Sequence, residues 1–193
     1  MSAATHEANP MNPRAVRRVV TGHDSTGKAV VAADGPSEDV QIIESARVAI
    51  ADMWQLSSVP THIDAWEKRD PGAPMAIGPV VGGVNFRVLQ FDPLPADAVI
   101  DAETVFADMG SADAHVAQAR HPAMHRTDTV DFGIVISGSI TLLLDEDDVT
   151  LSAGDIVIQR GTNHAWENRS GEPCSMAVMV VDATNGGPAP RPR

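Results

Sequence analysis

The sequence predicts an all-β fold, an antiparallel sandwich or barrel carrying one short helical insert. Short runs rich in β-branched residues recur between turns: Thr129–Ile136, Ser139–Leu144, Asp155–Gln159, His164–Asn168 and Ser175–Val181. The turns fall at Ser137-Gly138, Asp145 to Asp148, Ala153-Gly154, Gly161-Thr162 and Ser170-Gly171. Strong helix formers gather in one stretch, Asp101 to Ala119. With 193 residues and 43% hydrophobic content, the chain can fill a core.

In chain order, residues 1–13 are small and polar and predict a loose leader, and residues 14–182 a single domain. Arg14 to Thr21 and Gly22 to Val31 read as strand, turn, strand, with Asp24 and the glycines supplying the turn. Ala33 to Val40 is rich in Gly, Pro and Asp and predicts a loop. Ala46 to Ser58 predicts a strand, with helix open for its first half. Ile63 to Asp70 reads as one helical turn or a loop, and Pro71 to Gly83 as irregular chain. Val84 to Phe91 alternates as a strand does. Gly110 divides the helical insert, which would either cover a pocket mouth or pack on the outside. Residues 183–193, ending in PAPRPR, predict a flexible tail.

The charge bounds the partners. A formal net charge of -12 argues against nucleic acid and anionic membrane surfaces, which need basic patches. No apolar run reaches the length of a membrane span, and the N-terminus lacks the apolar core of a signal peptide. The single cysteine, Cys174, excludes an intrachain disulfide and a cysteine-based zinc cluster. Together these predict a cytoplasmic protein with a small-molecule partner.

The chemistry concentrates between His121 and Asn168. Residues of one parity share a face of a strand. His125, Thr127, Thr129 and Asp131 share one face, and Val130, Phe132, Ile134 and Ile136 the other. Such a polar face suits the wall of a ligand cavity. The apolar face then needs cover from the N-terminal strands or from a second subunit, and a homodimer is expected. His164 opens a later strand, with Trp166 and Asn168 on its parity. Two imidazoles and a carboxylate make a donor set that a divalent metal takes with positions left open.

These segments resemble the two cupin motifs, G-x5-H-x-H-x3-4-E-x6-G and G-x5-P-x-G-x2-H-x3-N. The chain reads His125-x-Thr127-x3-Asp131-x6-Gly138, then Gly154-x5-Arg160-Gly161-x2-His164-x3-Asn168. Thr127 stands at the second-histidine position, Asp131 at the glutamate, Arg160 at the proline and Ala119 at the opening glycine. The likeness covers about residues 84–182, with the motifs in 119–168. It implies a jelly-roll barrel, a double-stranded β-helix with extra N-terminal strands.

It also implies metal ligation by His125, Asp131 and His164, with Zn, Fe, Mn or Ni as the divalent ion. Beside that metal, His121 would move a proton and Arg160 would hold a substrate carboxylate, with Thr127 and Trp166 at the substrate. The implied function is a metal-dependent enzyme acting on a small oxygenated molecule, as a lyase, dehydratase, isomerase or cyclase. Two alternatives stay open: an Fe(II)-dependent oxygenase, and a metal-free barrel that only binds a small molecule.

Overall fold

The computed structural model describes residues 10–66, 69–70, 73–95 and 99–184. The elements are β1 (Arg17–His23), β2 (Ala29–Pro36), β3 (Val40–Ile43), β4 (Val48–Leu56), β5 (Val84–Phe91), α1 (Ala102–Asp108), β6 (Thr129–Ser137), β7 (Ser139–Leu143), β8 (Asp148–Ser152), β9 (Ile156–Arg160), β10 (Ala165–Glu167) and β11 (Cys174–Asp182). A six-stranded sheet runs β3-β4-β5-β11-β6-β9 and a three-stranded sheet runs β10-β7-β8. Strands β1 and β2 form a separate hairpin. Every pairing is antiparallel, as expected of the cupin-like barrel.

The two larger sheets close on each other through apolar side chains of both. Phe91, Val135 and Met176 from the six-stranded sheet meet Ile140 and Leu151 from the other, with Cys174 among them. Burial in this cluster is nearly complete, so each large side chain stabilises by roughly 1.5–3 kcal/mol. Beyond it the barrel stays open, and a second cluster of Ile43, Ile50, Met75, Val105 and Met109 seats α1 against the sheet. Asp101 caps α1 by accepting from the Thr104 amide at 3.2 Å.

Two turns need glycine. Gly138, between β6 and β7, has φ +73°, and a Cβ there would lie 2.5 Å from the Pro173 carbonyl oxygen. Gly161 has φ +54°, and a Cβ would come within 3.2 Å of the Thr127 carbonyl oxygen.

Several boundaries differ from the sequence reading. The expected loop at 33–40 is mostly strand: β2 runs to Pro36, which pairs with Arg17, and β3 starts at Val40. β8 was hidden beside four consecutive acidic residues, Asp145 to Asp148. β10 is only Ala165–Glu167, because its pairing with β7 extends no further. The leader is held at its end: Met11 is buried, and its amide donates to the Glu44 carboxylate at 3.1 Å. Residues 1–9 and 185–193 lie outside the described residues.

Candidate active site

The site begins with two backbone hydrogen bonds. His125 donates its amide to the His164 carbonyl at 2.8 Å, and His164 donates back at 3.0 Å. Residues paired this way across an antiparallel bridge present their side chains on one face. The imidazoles therefore lie side by side, with ring centroids 4.3 Å apart.

Their tautomers follow from their partners. His125 Nδ1 lies 3.0 Å from the Ala123 carbonyl oxygen, and His164 Nδ1 lies 2.9 Å from the Thr162 carbonyl oxygen. A carbonyl oxygen only accepts, so each Nδ1 carries the proton and each Nε2 keeps its lone pair. Burial lowers both imidazole pKa values, that of His164 to about 3, with the neighbouring His125 adding to the effect. At neutral pH the pair is two uncharged lone-pair donors.

Both histidines line a cavity of about 160 Å³ between the sheets and α1. Its walls are mostly apolar, with Leu89, Phe91, Val105 and Phe106 among them; Trp166 and Asn168 contribute near the histidines. The Phe106 ring sits 5.3 Å from that of His125 and stacks on His115 at 5.2 Å, so α1 covers the histidine end of the cavity. The helical insert thus stands over the pocket mouth.

Asp131 enters the same cavity from β6. Its neighbours are Thr129, which hydrogen-bonds it, and the Arg87 charge. Burial outweighs both and raises its pKa to about 6. One of its oxygens, Oδ1, is buried without a partner. Arg87 is itself committed: it pairs with Asp52 at 2.9 Å and donates to the Ala76 and Ile77 carbonyls at 3.0 and 3.2 Å. Among the described residues no group of three His, Cys, Asp or Glu side chains is arranged to hold a metal. The structure thus brings His125 and His164 together and leaves Asp131 with Arg87 and Thr129. An aspartate is one methylene shorter than the glutamate of the motif.

Three other residues stand away from the cavity wall. Arg160 is exposed on the outer face of β9, because Val157 and Gln159 hold the inward parity. Its expected place inside is taken by Gln159, which lines the cavity and donates to the Thr162 side-chain oxygen. The Thr127 hydroxyl is engaged with Thr129 at 2.7 Å. His121 lies in a separate shallow cleft with Glu167 and Arg169, and its Nδ1 accepts from the Ala123 amide at 3.2 Å. Trp166 and Asn168 do line the cavity, and Asn168 also ties Phe91 and Glu172 carbonyls at 2.8 Å. Sequence reading missed Arg87, Gln159 and Phe106. An arginine inside a strand with inward parity is the one signal that was available.

An antiparallel barrel with paired histidines at its mouth defines the class, and sequence comparison agrees. Residues 114–181 match the family model described as Cupin domain, so the chain carries a cupin domain. "Phomopsin biosynthesis cluster protein C'" of Diaporthe leptostromiformis is 52% identical over 59 residues, 30% of this chain and 31% of that protein. The chain thus matches about a third of the length of that relative. "Cupin-domain-containing oxidoreductase fogC" of Aspergillus ruber is 22% identical over 180 residues, 88% of this chain and 74% of that protein. The Schizosaccharomyces pombe Cnp3 cupin domain overlays with a TM-score of 0.43 at 8% identity, covering 86% of this chain and 87% of that one. No helix is long and apolar enough to cross a membrane among the described residues.

Proposed function

We propose that this protein is a cupin enzyme that binds one small, mostly apolar molecule bearing an oxygen. The carrying observation is the pair of Nε2 lone pairs held side by side at the end of an apolar cavity. A cavity near 150 Å³ holds a single benzene-sized ring, so about 160 Å³ selects an occupant of one ring.

The donor chemistry fits a divalent metal at two positions, His125 and His164, because fixed neutral imidazoles are good ligands for Zn, Fe, Mn or Ni. Such an ion would supply Lewis-acid polarisation of a substrate oxygen or, if redox-active, one-electron chemistry. The protein's own residues do the rest. Carbonyls of Ala123 and Thr162 hold the two rings in orientation. Asp131, with a pKa of about 6, holds or accepts a proton inside the cavity at physiological pH. Its unpartnered Oδ1 favours a substrate hydroxyl or enol there over a carboxylate. Phe106 and the rest of α1 keep water from the histidine end.

Three relatives carry oxidoreductase in their names, which supports redox chemistry ahead of the lyase or isomerase reading. A second reading, a metal-free binding barrel, is favoured by the lack of a third converging ligand among the described residues.

Metal content separates the two. Chelator-treated protein titrated with Fe(II), Mn(II) or Zn(II) is expected to bind one ion per chain and to melt at higher temperature. Either His125→Ala or His164→Ala should abolish both effects. An absence of stoichiometric binding for all three ions refutes the metal enzyme and leaves the binding barrel. With a ligand found by thermal shift among one-ring phenols and enols, turnover under argon then tests the redox chemistry.

A further inference from the structure

The outside of the barrel carries its own signal. In the six-stranded sheet, the outward positions of β5, β11, β6 and β9 hold no acidic residue, in a chain with 26. Instead they hold large apolar side chains. Phe132, Ile134 and Ile136 on β6 are 44%, 45% and 50% exposed, and Ile156 and Ile158 on β9 are 66% and 49% exposed. The pairing joins them in rows: Ile158, Phe132, Met179 and Phe86 lie across four neighbouring strands. A random placement of acids on this chain would not spare four adjacent strands.

The β1–β2 hairpin is the second part. It pairs with no other strand and approaches the sheet through few polar ties, such as Arg18 to the Met53 carbonyl at 3.0 Å. A hairpin alone is marginal in water. Ala29, Val30, Val31 and Ala32 are all exposed, so β2 offers apolar side chains on both faces. Open grooves of about 420 and 540 Å³ flank the N-terminal segment where it crosses the sheet. The hairpin therefore covers part of the outer face and leaves β6 and β9 bare.

We infer that this face and the hairpin together form the interface of a homodimer. The area fits a second copy. The exposed apolar side chains of the face amount to about 600 Å², the upper end of what a monomer shows. With Val19, Val30 and Val31 of the hairpin the total is roughly 800 Å², the share one partner contributes to a standard stable interface. A face lacking carboxylates is also the one surface on which two chains of net charge -12 approach with least repulsion. The apolar side chains of one copy then cover those of the other about a two-fold axis.

Sedimentation equilibrium and light scattering of the full chain test this. The expected result is a dimer at micromolar concentration, with association tightening as salt screens the net charge. Phe132→Glu with Ile158→Glu is expected to give a monomer. Val31→Glu, on the hairpin and free of any packing role in the barrel, should weaken association at least about tenfold. Val149→Glu, equally exposed but on β8 of the other sheet, should leave the dimer intact. Near-ultraviolet dichroism reports whether each variant is folded, and Val31→Glu decides the matter if the double variant is not. A monomeric wild-type chain overturns the inference, as does a Val149→Glu effect as large as that of Val31→Glu. If removal of residues 1–9 turns a monomer into a self-associating species, the cover is the chain's own N-terminus and the inference also fails.

Discussion

Asp131→Asn should stabilise the metal-free protein at alkaline pH and do nothing for it in acid. In the fold the carboxyl has a pKa raised from 3.8 to about 6, chiefly because burial disfavours its charge. In the unfolded chain it titrates at the ordinary value. Between pH 3.8 and 6 the native state binds more protons than the unfolded state, so stability falls as pH rises through that window and stays low above it. The full shift corresponds to about 3 kcal/mol, and partial exposure reduces this to about 2 kcal/mol. An asparagine has the same shape and carries no charge to desolvate. Its amide can also donate, which the unpartnered Oδ1 cannot. Urea unfolding of chelator-treated wild type and variant at pH 8 and pH 4.5 measures the difference. The expected gain is about 2 kcal/mol at pH 8, falling toward zero at pH 4.5. An equal gain at both pH values would show that the effect is packing rather than ionisation. A loss at pH 8 would show that the Arg87 charge, not burial, governs Asp131, and the proton-carrying role would go with it.

Three further outcomes follow from neighbouring groups. His164 has its pKa lowered to about 3, so its contribution is intact above pH 6.5 and lost as pH falls below it; His164→Gln should shrink the stability difference between pH 7.5 and pH 5 by about 2 kcal/mol in urea titrations. Arg87→Met strands the buried Asp52 carboxylate and should cost about 3–5 kcal/mol by thermal or urea unfolding, most of it returning in the double variant with Asp52→Asn. Gly138→Ala forces a positive φ on alanine and a contact with the Pro173 carbonyl, so the melting temperature should fall by several degrees, whereas Gly171→Ala, which meets nothing within 4 Å, should change it little.

How much of this was legible depended on whether the cause was local. The alternation in β6 is local: inward Thr129, Asp131 and Gly133 against outward Phe132 and Ile134 could be read from parity, and the structure has that alternation. The glycine at 138 and the histidine after Gly161 were equally visible, because turns impose residue types at fixed offsets. β8 was not visible, since five residues beside an acidic run give too short a pattern. The pairing of His125 with His164 rests on backbone contacts between segments 39 residues apart by their numbers, which only closure of the barrel creates. Arg160 shows the limit of motif reasoning: its position beside Gly161 suggested the pocket, but strand parity turns it outward and gives the inward place to Gln159. Asp131 was correctly faced toward the cavity, yet parity fixes a face and not a partner. Its association with Arg87 of β5 comes from the order of strands in the sheet.

β6 therefore serves two surfaces with one alternating sequence. An ordinary sandwich strand wets its polar side and buries its apolar side, which is the least costly arrangement when water lies outside. Here the polar side faces a cavity and the apolar side faces out. That inversion is stable only if the inside holds something to which a carboxyl and imidazoles can bind, and if the outside is covered. The two conditions are independent, because neighbouring residues on the strand point to opposite faces. An outer-face variant such as Ile134→Glu should abolish association while metal binding at His125 and His164 persists in the resulting monomer. Calorimetric titration of that monomer checks it. Loss of both together would mean that the barrel needs its partner to hold the histidines in place, and that the cavity described from one chain is only half of a shared site.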